Sequence, residues 1–189
     1  AIFTNIGHDH LDFHKSIENY FNAKLKLFTQ LNKKSTAILN IDDPYTKKII
    51  NKINCNYSTY GFNKKADLYI KDYNLNIEKS KAIIQYKDEL FELETPLIGK
   101  FNLYNLSAAV LCTFELGICK NDIIQSVKYF NNIPGRLEKY NYKSNTIIID
   151  YAHTPDAFSN IFKSIFELKN KKKKIITVFG CGGNRDLSL

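Results

Sequence analysis

Residues 146–158 read Thr-Ile-Ile-Ile-Asp-Tyr-Ala-His-Thr-Pro-Asp-Ala-Phe. A β-branched run that ends in Asp and passes through His into Thr-Pro predicts a strand feeding directly into a helix. Thr154 can cap that helix. Pro155 suits its first position, where the missing N–H has no partner to lose. Asp156 falls in the first turn, near the positive end of the helix dipole. A strand joined this way to a helix places the chain in the α/β class, in which ligands bind at the carboxyl ends of strands. Asp150 and His153 are therefore aimed at the place where a nucleotide would lie.

Other segments fit the same class. Ile17, Tyr20, Phe21, Leu27, Phe28 and Leu31 recur at helical steps across residues 16–31, with Ser16 as the cap, and Lys24 falls on that apolar stripe. Thr36–Ile41 reads as a buried strand, and Asp42-Asp43-Pro44 turns into a short helix reaching about Ile53. Asp67–Lys71, Ala82–Tyr86 and Leu90–Glu94 alternate with turn residues and predict a β-rich subregion of hairpins. Gly99–Asn102 reads as a loop into a helix over Leu103–Leu116 ended by Gly117, followed by a helix over Asp122–Phe130. Asn131–Gly135 breaks the pattern and marks a domain boundary. Beyond it, Thr146–Asp150, Pro155–Leu168 and Ile175–Phe179 predict a βαβ unit with a parallel strand pair, closing on Gly180-Cys181-Gly182-Gly183.

Composition narrows the function classes. The 189 residues are 44% hydrophobic and 24% charged, ordinary for a globular chain. No apolar run approaches a membrane span. Cys55, Cys112, Cys119 and Cys181 are scattered without a CxxC pair, which favours reduced thiols over disulfides or a zinc site. The net charge of +8 is dispersed apart from Lys171–Lys174. No aromatic–basic pattern accompanies it, so nucleic acid is not the expected partner. The chain lacks Met and opens on what reads as a strand already under way, so it is expected to be an internal piece of a longer protein.

Five constellations could carry chemistry. Thr4-Asn5-Ile6-Gly7-His8-Asp9-His10-Leu11-Asp12-Phe13-His14 is dense in imidazole and carboxylate after a strand. It suits Mg²⁺ or a polar substrate, or else forms a hydrogen-bonded polar loop. Lys24 either snorkels or, as a partly buried amine, reacts with carbon dioxide to a carbamate that would bind Mg²⁺. Asn102 and Asn105, three residues apart, either cap a helix or present amide edges to a base and ribose. Arg136, beside Gly135, either clamps a phosphate or pairs with Glu138 or another acid. Gly182–Asp186, with Arg185, is a loop or an anion-approaching turn. No GxxxxGK[ST] phosphate loop occurs in the chain.

Taken in order, these pieces resemble the Mur ligases. Thr4-Asn5 with Asp9-His10-Leu11-Asp12-Phe13-His14 is similar to a TN…DHLDYH segment, and Ala23-Lys24 with Leu27-Phe28 to an AKxxLF helix. Asn102 and Asn105 followed by Ala108-Ala109 resemble NxxNxxAA. Gly135–Glu138, Asp150–Ala157 and Phe179–Asp186 resemble GRME, DYAHTPDA and FGCGGDRD. The last two motifs point to the branch of the family that adds a diamino acid to UDP-N-acetylmuramoyl-L-alanyl-D-glutamate. His14-Lys15 departs from the family's His-Gly, and Asp186–Leu189 lacks the Lys-Gly-Lys-Arg that follows Arg-Asp.

The resemblance implies an α/β fold: residues 1–134 as the C-terminal part of a central ATP-binding domain, with a mixed sheet, helices and a β-rich subregion, and residues 135–189 as the beginning of a Rossmann-like domain. It implies ATP and Mg²⁺ as cofactors. His10 and a carbamylated Lys24 would serve the metal and the acyl-phosphate region, and Thr4 and Asn5 the substrate. Asn102 and Asn105 would line the adenine and ribose site, Arg136 the phosphates, Asp150 the ribose, and His153 the nucleotide's surroundings. Arg185 would bind a carboxylate of the incoming diamino acid, meso-diaminopimelate or L-lysine. The implied reaction is an ATP-dependent amide ligation through an acyl phosphate in peptidoglycan synthesis, by a cytoplasmic, monomeric enzyme. The chain alone is expected to be inactive. The alternatives are a cyanophycin- or folylpolyglutamate-type ligase of the same superfamily, or a non-catalytic nucleotide-binding remnant.

Overall fold

The computed structural model describes residues 1–7, 10–130, 133–168 and 174–180. The chain enters as β1 (Ile2–Phe3), crosses through α1 (Leu11–His14) and α2 (Ile17–Thr29), and returns as β2 (Thr36–Asn40), parallel to β1. The crossover forms because Ser16 caps α2, accepting from Asn19 N at 3.1 Å. α3 (Tyr45–Ile50) then leads to β3 (Asn56–Gly61), which is parallel to β2. β2 is buried on both faces, and its period of two separates the cores. Ala37 and Leu39 pack with Phe3, Phe21, Phe28 and Ile49 on the α2–α3 side, whereas Ile38 joins the opposite core.

β4 (Leu68–Leu75) runs parallel to β3, and β5 (Ser80–Tyr86) and β6 (Glu89–Thr95) complete an antiparallel meander in a six-stranded sheet of order β1-β2-β3-β4-β5-β6. α4 (Lys100–Glu115) and α5 (Lys120–Lys128) cover the second face, burying Leu103, Val110, Leu111, Ile123 and Val127 against Tyr60, Leu68, Ile84 and Leu93. A separate antiparallel hairpin, β7 (Glu138–Tyr142) and β8 (Asn145–Ile149), precedes α6 (Pro155–Leu168). Thr154 Oγ1 accepts from Ala157 N at 3.2 Å, the cap expected from Thr-Pro.

The hairpin and α6 meet the six-stranded sheet at Gly99. A Cβ there would lie 3.1 Å from Leu137 Cδ1 and 3.2 Å from Ser164 Oγ. Leu137 and Ser164 are both buried. Lys139 Nζ adds a tie to Ile77 O at 3.1 Å. Among the described residues no helix is long and apolar enough to cross a membrane.

Three expectations change. β8 pairs antiparallel with β7, and Ile175–Phe179 carries no strand; Ile176 and Val178 are 88% and 94% exposed. An apolar β-branched run becomes a strand only where a neighbour takes its backbone bonds, and none of the described residues does so here. α4 starts at Lys100 rather than Leu103, so Gly99–Asn102 is not a loop. Leu27, expected on the buried stripe of α2, is 55% exposed, because it borders an open cavity beside Ile2 and Phe3 rather than packed side chains. Asn131 and Asn132 of the expected boundary lie outside the described residues.

Candidate functional site

Thr4 and Asn5 leave the carboxyl end of β1, and the end of β2 holds them there. Asn40 Nδ2 donates to Thr4 O at 2.7 Å, and Ile6 N donates to Asp43 Oδ2 at 3.0 Å. Tyr60 OH, from a fully buried side chain of β3, donates to Phe3 O at 3.1 Å. A cavity of about 150 Å³ opens beside this loop, lined by Ile2, Phe3, Thr4, Asn5, Ala23, Lys24, Leu27 and Phe28. The fold thus brings Thr4 and Asn5 together with Lys24.

Lys24 is half-buried, and its Nζ lies 4.9 Å from the centroid of the Tyr20 ring. The same ring stacks on His14, with centroids 5.0 Å apart and planes at 29°, and meets His10 edge-on at 5.9 Å. His10 and Lys24 are therefore joined through one aromatic side chain. His8 and Asp9 lie outside the described residues. Among those described, no group of three or more His, Cys, Asp or Glu side chains could hold a metal ion. An imidazole and an ammonium do not make a Mg²⁺ site, since the ammonium would repel the ion. The donor set fits Mg²⁺ only if a carbamate replaces that charge with two oxygens.

Asn102 is the third residue of α4 and 2% exposed; its Nδ2 donates to Ile98 O at 2.9 Å. It does not cap the helix, whose N-cap is Gly99 at φ 89°. Asn105, one turn on and exposed, donates from Nδ2 to Asn102 Oδ1 at 3.3 Å. The buried amide thus orients the exposed one, and Asn105 is the member that faces solvent. Tyr104 ties this turn to the end of β2, its OH donating to Asp42 Oδ2 at 3.0 Å. Asp42 also accepts from Phe62 N at 2.6 Å and Asn63 N at 3.2 Å. Burial, then the Asp42 carboxylate, pushes the Tyr104 phenol well above its usual range.

Gly135–Glu138 and Asp150–His153 form one unit across the base of the hairpin. Asp150 Oδ2 accepts from Leu137 N and Oδ1 from Ala152 N, both at 2.8 Å. Tyr151 N donates to Gly135 O at 2.9 Å. Arg136 is exposed and lies over the Tyr151 ring at 5.5 Å. Its expected alternative partner, Glu138, is already engaged, accepting from Gly135 N at 2.8 Å and Tyr140 OH at 2.5 Å. Those two bonds, the tyrosine's first, hold the Glu138 carboxyl below its usual range. No carboxylate pairs with Arg136 among the described residues. His153 Nδ1 lies 2.9 Å from Tyr151 O, so it donates there and leaves Nε2 without a hydrogen-bond partner among the described residues. An unneutralised guanidinium on an aromatic platform, beside an anchored carboxylate and an open imidazole nitrogen, fits a phosphorylated nucleoside.

Gly182–Asp186, with Arg185, lies outside the described residues. The organising residues Tyr20, Asn40, Asp43 and Tyr151 escaped sequence reading. Tyr20 looked like core, Asn40 like part of the strand Thr36–Ile41, Asp43 like part of the turn Asp42–Pro44, and Tyr151 like one residue of the Asp150–Ala157 motif. Tyr20 standing one helical turn before Lys24 was the available signal.

The Mur ligase middle domain matches residues 1–113, and the Mur ligase glutamate ligase domain matches residues 135–188. The chain is 44% identical over 98% of its length to a UDP-N-acetylmuramoyl-L-alanyl-D-glutamate–2,6-diaminopimelate ligase of Aquifex aeolicus and covers 37% of that protein. A solved structure of a ligase with that same activity in its name superposes with a TM-score of 0.77 at 30% identity, over 98% of this chain and 38% of the other. A MurF ligase of Thermotoga maritima, solved with ADP, matches at a TM-score of 0.77 and 22% identity, over 88% of this chain and 38% of that one, and speaks to the fold alone. The chain thus spans less than two fifths of the curated relatives it matches.

Proposed function

Because this chain belongs to the Mur ligase family, we propose that it forms part of an ATP-dependent ligase that joins a diamino acid to UDP-N-acetylmuramoyl-L-alanyl-D-glutamate in peptidoglycan synthesis. The names of the relatives favour 2,6-diaminopimelate over lysine as the amino acid. Residues 1–134 then contribute to the central ATP-binding domain and 135–189 begin the Rossmann-like domain. The enzyme works in the cytoplasm, as a monomer.

In this reading Asn105 lines the adenine and ribose, and the buried Asn102, expected beside it, orients its amide from behind. Asp150 contacts the ribose with the lone pairs its two backbone bonds leave over. Arg136 takes the ATP phosphates and His153 sits beside the nucleotide, while Arg185 binds a carboxylate of the diamino acid. The D-glutamyl carboxylate attacks the γ-phosphorus of ATP, the bond to the β-phosphate breaks, ADP leaves, and an acyl phosphate forms. The diamino acid's amine then attacks that carbonyl and phosphate leaves. Thr4 and Asn5 face the substrate. His10 and a carbamate on Lys24 would hold Mg²⁺, which supplies charge neutralisation for phosphoryl transfer. The observation that carries the reading is the exposed Arg136 on Tyr151, which no carboxylate pairs among the described residues, tied through Asp150 to the segment that enters α6.

The test is a phosphate-release assay on a protein in which this chain replaces the matching residues of the Aquifex aeolicus relative. We expect turnover that needs ATP, Mg²⁺, the UDP-linked dipeptide and 2,6-diaminopimelate. A folded chimera with no turnover, or one that turns over only a different acceptor, overturns the proposal.

A further inference from the structure

We propose that Tyr20 is a positioning residue that sets Lys24, His10 and His14 into one arrangement. The proposal rests on the reading of Lys24 and His10 above and extends it to a residue outside the family motifs quoted. Three contacts converge on this one ring: Lys24 Nζ at 4.9 Å, the His14 ring stacked at 5.0 Å, and the His10 ring edge-on at 5.9 Å.

The need for such a residue follows from the local structure. α1 has only four residues, too few to hold a conformation alone. Both its N-cap His10 and its C-cap Lys15 have left-handed backbone, at φ 57° and 64°. What fixes α1 against α2 is Asn19 Nδ2 donating to His14 O at 3.0 Å, and the Tyr20 ring. On the other side, Lys24 has four rotatable side-chain bonds. Tyr20 precedes it by one helical turn, on the same face. While Lys24 is still an ammonium, the negative face of the ring attracts it and draws the side chain toward the histidines, before carbon dioxide adds. Tyr20 thus supplies the common reference for groups contributed by two helices.

The test is side-chain NMR of this chain and of two variants. In the wild type, the ring's magnetic field should shift the Lys24 methylene protons and the His14 ring protons away from the positions of exposed residues. Tyr20→Phe should keep both shifts, because it keeps the ring. Tyr20→Leu should abolish both while the Phe3 and Phe28 core signals stay in place. Absence of the shifts in the wild type overturns the proposal whether or not a variant folds. So does their persistence in Tyr20→Leu, or their loss in Tyr20→Phe. In the chimeric ligase, Tyr20→Leu should lower kcat about two- to ten-fold, the rate equivalent of one aromatic pair such as the His14 stack, with KM for ATP unchanged and Tyr20→Phe keeping the wild-type rate. An unaltered kcat in Tyr20→Leu overturns the positioning role. A wild-type chimera without turnover would count against the proposed reaction instead, and the ring shifts would still decide the role of Tyr20.

Discussion

Tyr60 shows how a single polar atom in the core serves the site. Its ring is fully buried among β2, β4 and α4, and its hydroxyl bonds the last carbonyl of β1, directly before Thr4. Tyr60→Phe removes that bond and leaves Phe3 O without its side-chain donor. The expected cost is about 1–2 kcal/mol in equilibrium urea unfolding. A stability equal to wild type would mean that the hydroxyl contributes nothing to the entry of the Thr4–Asn5 loop. At this scale the sequence disclosed residue types better than partners. Asp150, His153 and Arg136 stood out as ligand-facing side chains. That Asp150 also bonds two backbone N–H groups could not be read, since its partner Leu137 is thirteen positions away. Asn102 and Asn105 looked equivalent, yet one is buried and orients the other.

Elements with a clear hydrophobic period were legible. α2 announced itself by its stripe and Ser16 cap, β2 by an unbroken apolar run, and β4–β6 by alternation between turns. The start of α4 was not legible because its N-cap is a glycine at positive φ, with no Ser, Thr or Asp to mark it. β7 was missed because Glu-Lys-Tyr-Asn-Tyr offers no apolar face, and without it β8 was assigned a parallel partner. Gly99 tests this junction. At φ 89° a side chain is strained, and a Cβ would press on Leu137, Phe101 and Ser164. Gly99→Ala should cost about 1–3 kcal/mol, or more if the neighbours cannot yield. Gly117→Ala, at φ 80° with nothing within 4 Å, should show the strain alone and so be milder. Equal costs at the two sites in urea unfolding would refute the close approach at Gly99.

Across the whole molecule the parts converge on one end of the six-stranded sheet. The carboxyl ends of β1, β2 and β3 are linked by Asn40, Asp42 and Asp43, and Tyr104 joins the start of α4 to them. The hairpin carrying Arg136 and Asp150 docks at Gly99, three residues before Asn102. The residues proposed to face the nucleoside therefore come from both sides of one junction, and those proposed to face the metal from the α1–α2 corner. The central claim is that Asn105, Arg136 and His153 belong to one nucleotide-binding surface. Adding MgATP to the isotope-labelled chain and following side-chain NMR signals tests it most directly. The account predicts that the Asn105 amide, the Arg136 guanidinium and the His153 ring shift together, and that Arg136→Ala weakens the response about ten-fold, the equivalent of one charged hydrogen-bonded contact. Shifts confined to another surface, such as the cavity between Lys64 and Lys87, or no shift at all, would contradict it.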